Sequence, residues 1–253
     1  MTGTVSESPT VTIRSEPPLA QVTLADSSHG NRITPEVRTA LPAALREAAA
    51  NPSTHVIVLA GLPGVFCAGG TLEDLTANED VRTPQGWDFV RAAADCPLPV
   101  VVAAQGHAIG GGLLLALYAD VTVLSETSSY AANFLTYGFT PCLGATHVLP
   151  AVLGQALGTE MLYTARPYRG RELAARGAGV TVAPHDEVLP RAHALARRIA
   201  QAPRRTLELL KQEMAAPARQ LAQAALEREL VHHTTTLTAP ETQRRIAELY
   251  PRT

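Results

Sequence analysis

A predicted strand, a glycine turn and a predicted helix follow one another directly in residues 97–120, PLPVVVAAQGHAIGGGLLLALYAD. The segment 100–104 is apolar and begins with three valines, which is typical of a strand covered on both faces. Three glycines at 110–112 then precede the apolar segment 113–117, which we interpret as a buried helix. The glycine amides would lie at a helix N-terminus, where N–H groups are unpaired and negative charge is stabilised. The same glycines could instead serve only close packing of the helix on the strand.

The first part of the chain alternates between apolar, strand-like segments and helical patterns. Strands are predicted at 11–13, 20–24, 55–60, 100–104, 121–124 and 128–130, and helices at 35–50 and 87–94. A glycine-rich loop at 61–70 follows one of these strands, and ligands gather at the carboxyl ends of strands in open α/β sheets. The alternation therefore favours an α/β fold of stacked strand and helix units.

The strand signal fades after residue 154. Helices are predicted at 157–164, 169–176, 187–201, 203–215 and 221–232, with one short extended segment at 180–182. We therefore divide the chain into a β/α core at 1–195 and a C-terminal helical region at 196–253. The alanine- and leucine-rich faces of these helices could form a subunit interface or an internal core, and the pattern does not separate the two.

Charge and cysteine content exclude several classes of protein. The net charge is −2, whereas a nucleic-acid-binding protein should carry a strong basic excess. Cys67, Cys96 and Cys142 are far apart, so neither a disulfide framework nor a zinc site is indicated. The chain shows no signal-peptide pattern and no apolar segment of membrane-spanning length. We expect a cytoplasmic protein without nucleic-acid or membrane partners.

Three ordered motifs carry a family resemblance. They are FCAGG at 66–70, QGHAIGGGLLLALYAD at 105–120 and YGFTPCLGAT at 137–146. In this order and spacing they closely resemble the crotonase (enoyl-CoA hydratase/isomerase) superfamily. The resemblance implies a ClpP-like fold of stacked ββα units, with a C-terminal helical region that forms a homotrimer or hexamer. It also implies an acyl thioester substrate on a pantetheine arm.

Two backbone amides are the first functional groups that the resemblance implies. In the family, two N–H groups hold the thioester oxygen, and by motif they fall on Gly70 and Gly111. Enolate chemistry at a thioester places negative charge on that oxygen, and preorganised donors stabilise it by roughly 3 kcal/mol each.

The chain departs from the family at the positions of the two glutamates that hydratases use to add water. By motif these positions are Leu114 and Phe134, and neither side chain transfers protons. An oxyanion site with apolar walls suits decarboxylation instead, because such walls disfavour a localised carboxylate relative to a delocalised enolate. This reaction needs no metal or organic cofactor.

Three segments point to one group within the superfamily: ANF at 132–134, YGFTP at 137–141 and PYRGRELAARG at 167–177. These segments are similar to those of the decarboxylating members of polyketide β-branching cassettes, which remove CO₂ from 3-methylglutaconyl on an acyl carrier protein to leave 3-methylcrotonyl. Members of that group use a histidine in a pattern that matches ELVHHTTTL here. The match assigns this histidine to His233, and the adjacent His232 is the alternative. A histidine could protonate the enolate or bind the departing carboxylate.

The carboxylate-binding side of the site is less well defined. Some members carry a tyrosine and a lysine after the AGG-type loop, where this chain has Asp74 and Asn78. Asn78, Arg82 or His233 could take their place. Besides the two amides and His233, the predicted substrate pocket contains Ala68, Leu114, Phe134, Tyr137, Cys142 and Asn78.

Two alternatives to decarboxylation remain open. One is a hydratase, isomerase or dehydratase of the same fold acting on acyl-CoA, with Asp74 or Glu73 as its proton-transfer group. The other is a catalytically silent subunit that binds acyl carrier proteins. Lys211, the only lysine, lies on a predicted helix where we expect solvent exposure or contact with a phosphate.

Overall fold

The computed structural model of the chain describes residues 5–7, 10–76 and 84–250. Two of the predicted site residues, Asn78 and Arg82, lie outside these ranges. The strands are β1 (Val5–Glu7), β2 (Val11–Glu16), β3 (Leu19–Leu24), β4 (Val56–Ala60), β5 (Val65–Cys67), β6 (Val100–Ala104), β7 (His107–Ile109), β8 (Val121–Ser125), β9 (Ser129–Ala131), β10 (Tyr168–Arg169) and β11 (Thr181–Ala183).

The described strands form two sheets. The larger has seven strands in the order β1-β2-β3-β4-β6-β8-β11, antiparallel at its first two pairings and parallel from β3 onward. The smaller has four strands in the order β10-β9-β7-β5, of which β9, β7 and β5 are parallel. The predicted α/β fold is confirmed.

The helices surround these sheets. They are α1 (Pro35–Ala50), α2 (Leu72–Thr76), α3 (Pro84–Asp95), α4 (Gly111–Leu117), α5 (Phe134–Tyr137), α6 (Ala145–Leu153), α7 (Gln155–Thr164), α8 (Gly170–Ala175), α9 (Val188–Ile199), α10 (Arg204–Leu237) and α11 (Pro240–Leu249), with a 3₁₀ turn at His185–Glu187. None of the helices that the structure describes is both long enough and apolar enough to cross a lipid bilayer.

Both faces of the central strands are covered, which explains their continuous apolar sequences. Alternate residues of β4 and β6, such as Val58 and Val101, pack with Ala192 and Ala196 of α9 in one core. The residues between them, such as Leu59 and Val102, belong to the larger core on the opposite face of the sheet, where α1 also packs. Because side chains alternate along a strand, a strand between two helical layers must be apolar at every position.

Two predictions about elements were wrong. The segments 203–215 and 221–232 were predicted as two helices, but they form one 34-residue helix, α10, with Pro203 as its N-cap. Pro217 lies inside it on an exposed face, where water can satisfy the carbonyl that loses its hydrogen bond. The loop predicted at 61–70 contains β5, which is only three residues long and too short to show a periodic pattern.

Lys211 was also predicted wrongly, since it is buried rather than exposed. It is 4% exposed, and its Nζ donates hydrogen bonds to Asp120 Oδ2 at 2.6 Å and to the carbonyl of Ala93 at 2.9 Å. Asp120 also accepts a hydrogen bond from the N–H of Val100 at 2.8 Å, at the start of β6. The only lysine of the chain therefore ties α10 to the sheet.

Candidate active site

Two glycine turns lie side by side because they follow neighbouring parallel strands. Cys67 of β5 pairs with Ala108 of β7. Gly70 follows Cys67 by three residues, and Gly111 follows Ala108 by three residues, so the register brings the two glycines to the same edge of the sheet. A Cβ on Gly69 would lie 2.8 Å from the carbonyl oxygen of Ile109, so the two turns are in contact.

The glycine triplet is required by the local geometry of the second turn. Gly110 has a φ of +54°, which L-residues rarely adopt, and its N–H donates to the carbonyl of Ala131 at 2.8 Å. A Cβ on Gly112 would lie 2.3 Å from the carbonyl oxygen of Cys67, so only glycine allows α4 to approach β5 this closely. Gly111 is the first residue of α4. Within the described residues, the N–H groups of Gly70 and Gly111 have no hydrogen-bond partner.

Both glycines border a cavity of about 330 Å³. Aromatic side chains form much of its wall, with the rings of Tyr137 and Phe139 stacked at 6.0 Å and those of Phe134 and Phe139 edge to face at 6.1 Å. Its other lining residues are Arg32, Ile33, Arg38, Ala68, Gly69, Asp74, Leu75, Val90, Ile109, Gly110, Asn133, Cys142, Leu143, His233, Leu237 and Tyr250. The cavity is therefore largely apolar, and the two glycines border it.

Most of the sequence-predicted pocket residues meet in this cavity. Ala68, Phe134, Tyr137 and Cys142 line it together with the two glycines and His233. Leu114 does not line it: the side chain is 1% exposed and belongs to the larger hydrophobic core. Every residue of α4 is buried, so the helix sequence gives no sign of which side chain faces the cavity.

The structure separates the two neighbouring histidines of α10. His233 is 2% exposed and lines the cavity, whereas His232 is exposed to solvent. The Nδ1 atom of His233 lies 2.6 Å from the carbonyl oxygen of Thr140. A carbonyl only accepts hydrogen bonds, so Nδ1 carries a proton and Nε2 is the atom left for proton exchange.

Burial lowers the pKa of His233 below its ordinary value of 6.5, because the apolar surroundings disfavour the imidazolium ion. The hydrogen bond to Thr140 and the negative charge of Glu229 oppose this fall in pKa. Glu229 itself accepts hydrogen bonds from the N–H groups of Gly144 and Thr146, both at 2.7 Å, at the start of α6. It thus caps a helix and is not among the residues that line the cavity.

Asp74 is the one acidic side chain among the described residues that line the cavity. It forms an ion pair with Arg38 at 2.8 Å, and its N–H and carboxylate exchange hydrogen bonds with Thr71 at the start of α2. Glu73, the other acid considered from the sequence, is exposed and does not line the cavity. Among the described residues that line the cavity, the one carboxylate that could serve hydration is therefore already paired with an arginine.

Arg32 and Tyr250 belong to the site, although sequence analysis did not identify them. The Tyr250 hydroxyl donates a hydrogen bond to the carbonyl of Gly70 at 2.7 Å and accepts one from Arg32. The guanidinium carbon of Arg32 lies 4.8 Å from the centre of the Tyr250 ring. Burial raises the pKa of the Tyr137 and Tyr250 phenols, while the charge of Arg32 opposes that rise. No local motif marks these contacts, since Tyr250 and Gly70 are 180 residues apart.

Comparison with known proteins agrees with this geometry. The family model described as enoyl-CoA hydratase/isomerase matches residues 14–248. The chain is 39% identical to the bacillaene synthase decarboxylase PksI of Bacillus subtilis, over 94% of this chain and 96% of PksI.

Two solved structures are similar over almost the whole chain. One concerns a dehydratase/decarboxylase enzyme couple involved in polyketide β-branching, with a TM-score of 0.91, 36% identity and coverage of 98% of this chain and 100% of the other. Another is the ECH2 decarboxylase domain of CurF from Lyngbya majuscula, with a TM-score of 0.87, 35% identity and coverage of 96% and 100%. The resemblance inferred from the three motifs is confirmed, and the chain belongs to the enoyl-CoA hydratase/isomerase family.

Proposed function

We propose that the protein decarboxylates a 3-methylglutaconyl-type thioester, carried on an acyl carrier protein, to a 3-methylcrotonyl-type thioester. The observation that carries this proposal is that two amides without partners in the described part of the chain, those of Gly70 and Gly111, border an apolar cavity whose one described acid is paired with Arg38. The chain is similar to the bacillaene synthase decarboxylase PksI, to the CurF ECH2 decarboxylase domain and to a structure from a dehydratase/decarboxylase couple of polyketide β-branching. Their reactions support the same chemistry here.

In this mechanism the thioester oxygen accepts hydrogen bonds from the N–H groups of Gly70 and Gly111. The bond between the carboxylate carbon and its neighbour breaks, CO₂ leaves, and the electron pair moves through the conjugated system onto the thioester oxygen. The amides stabilise the charge where it develops, on the thioester oxygen. A proton must then be added to a carbon of the enolate.

His233 is the residue that we assign to this proton transfer. With Nδ1 donating to Thr140, the proton that is delivered must come from Nε2 of the imidazolium form. Because burial lowers the pKa of His233, the imidazolium is a stronger acid than an exposed one. The negative charge of the bound substrate would favour the imidazolium within the complex.

The remaining parts of the proposal concern partners and assembly. We propose that the substrate is bound through a phosphopantetheine arm, with acyl-CoA as an alternative carrier, and that the protein works in the cytoplasm. We also propose that the division into a core at 1–195 and a C-terminal region at 196–253 reflects assembly into a homotrimer or hexamer. Leu210, Met214 and Leu221 on α10 are more than half exposed, and burial in such an assembly would remove this apolar surface from water.

A second candidate function has one observation in its favour: Asp74 lines the cavity. Were it released from Arg38, it could activate water for hydration or remove a proton in dehydration. Intact mass spectrometry of 3-methylglutaconyl carrier protein after incubation distinguishes the possibilities. Loss of the mass of CO₂ supports the proposal, while loss or gain of the mass of water supports the Asp74 route. An unchanged mass would favour a silent carrier-binding subunit.

A pair of Gly70 variants tests the oxyanion site directly. A Cβ at Gly70 meets nothing within 4 Å, so Gly70→Ala retains the N–H and should stay within a few-fold of wild-type activity. Gly70→Pro removes the N–H and should lower kcat by about 100- to 1,000-fold. Thermal unfolding of both variants checks that the fold is kept. Equal activity of the two folded variants would contradict the assigned role of this amide.

A further inference from the structure

Arg32 is a cation of the cavity for which the described residues provide no acidic partner. Arg38, the other arginine in the lining, is neutralised by Asp74. Arg32 is partly buried and donates to the hydroxyl of Tyr250, while its guanidinium has five N–H donors in all. A partly buried guanidinium with free donors, bordering a cavity, is well suited to bind a carboxylate or phosphate in a bidentate manner.

The position of Arg32 relative to the oxyanion site is set by Tyr250. The phenol hydroxyl joins Arg32 to the carbonyl of Gly70, the residue whose N–H we assign to the thioester oxygen. Arg32 is therefore two hydrogen bonds away from Gly70. In a five-carbon diacid thioester, the free carboxylate lies four carbons from the thioester carbonyl, roughly 5 Å in an extended chain. A substrate of this length can place its carboxylate near Arg32.

We propose that Arg32 binds the free carboxylate of the substrate and so selects diacid over monoacid thioesters, with Tyr250 as the residue that positions it. This inference rests on the proposed function. It also accounts for the sequence at Asp74 and Asn78, where neither residue supplies a cation. The anion-binding group would come from the segment before α1 instead of from the segment after the AGG-type loop.

A contact with the carboxylate should act on binding and not on the chemical step. An ionic contact stabilises the carboxylate of the bound substrate, and this stabilisation is lost as CO₂ forms, so it cannot lower the barrier by itself. The charge that leaves the carboxylate reaches the thioester oxygen at Gly70, the residue whose carbonyl is joined to Arg32 through the Tyr250 hydroxyl. We therefore expect Arg32→Gln to raise KM about 10- to 100-fold and to change kcat by only a few-fold.

Equilibrium binding provides a test that does not depend on turnover. A glutaryl thioester of N-acetylcysteamine has the free carboxylate and no phosphate, and the butyryl thioester is its neutral counterpart. Calorimetry should show that the wild-type protein prefers the glutaryl compound, and that Arg32→Gln reduces the preference about 10- to 100-fold. Tyr250→Phe keeps the ring and should cause a smaller loss with the same pattern. Arg91→Gln, which breaks an ion pair with Asp95 away from the cavity, is the matched control and should change nothing.

The outcomes separate the possible sources of the anion. If Arg32→Gln weakens the binding of both thioesters equally, Arg32 does not bind the carboxylate and the inference fails. It also fails if only phosphopantetheine-linked ligands are affected, since the anion would then be the phosphate of the arm. If the wild-type protein prefers the glutaryl thioester but releases no CO₂ from the glutaconyl substrate, the proposed function fails while the role of Arg32 stands.

Discussion

Lys211 in the first half of α10 and His233 in the second half are both buried ionisable side chains, but their surroundings differ. Lys211 in the first half is bonded to Asp120 and to the carbonyl of Ala93. His233 in the second half is bonded through Nδ1 to Thr140, and its ring borders the cavity. A buried ionisable group with an ion-pair partner supports the fold, because its charge is already compensated. A buried ionisable group that borders a cavity and keeps a titratable atom unbonded, as His233 does at Nε2, is available for chemistry.

The largest effect that would test this contrast is the loss of the His233 imidazole. His233→Asn should lower kcat by about 100- to 10,000-fold. No other imidazole lies among the described side chains that line the cavity, so the proton donor is lost. The free energy of unfolding should change by only about 1 kcal/mol, since one hydrogen bond is lost. Steady-state kinetics and denaturant unfolding measure the two quantities.

His232→Asn is the matched control, since this neighbour is exposed and outside the cavity. It should retain wild-type kcat and stability. Equal loss of activity in the two variants would remove the distinction between the two histidines.

The second test is Lys211→Met, which leaves Asp120 without its cation. We expect the free energy of unfolding to fall by about 3 kcal/mol, at the low end for a broken buried ion pair because Asp120 remains 25% exposed. The kcat of the folded protein should stay within about twofold of wild type, since Lys211 does not border the active-site cavity. Adding Asp120→Asn should recover part of the stability. A Lys211→Met variant with normal stability and lost activity would reverse the contrast.

The smallest effect concerns pH. The imidazolium of His233 is the proposed acid, and burial holds its pKa below 6.5, so kcat/KM should fall as the pH rises above that pKa. Glu229 raises the pKa of His233 through its negative charge. Glu229→Gln should therefore shift the fall of kcat/KM to lower pH, by less than about tenfold in rate at any one pH. A shift toward higher pH would contradict the assignment of His233 as the acid.

Sequence reasoning located the strands and turns of the site because these depend on local chemistry. The β6 segment at 100–104 is apolar throughout, and the glycines at 110–112 meet constraints of φ and close packing that other residues cannot. The preference for His233 over His232 came from a motif, and the structure gives it a physical basis. Neighbouring helical residues point in directions about 100° apart, so only one of the pair can face the cavity.

The charged groups of the site could not be predicted in the same way. Arg32 meets Tyr250 across 218 residues, and Arg38 meets Asp74 across the gap between α1 and α2. These contacts depend on how the elements pack, and no periodicity or motif marks either partner. Leu114 shows the opposite problem, because its motif position suggested the cavity wall while its side chain belongs to the core.

Cys142 has a consequence for the fate of a bound acyl group. A thiolate beside a thioester would attack it and transfer the acyl chain to the enzyme, ending turnover. Burial, reinforced by the negative charge of Glu229, raises the pKa of Cys142 far above neutrality, so the sulfur stays protonated and a poor nucleophile. The Cys142 thiol can thus line a cavity that binds a thioester without becoming acylated. Enzyme recovered after many turnovers should have the mass of the unmodified chain.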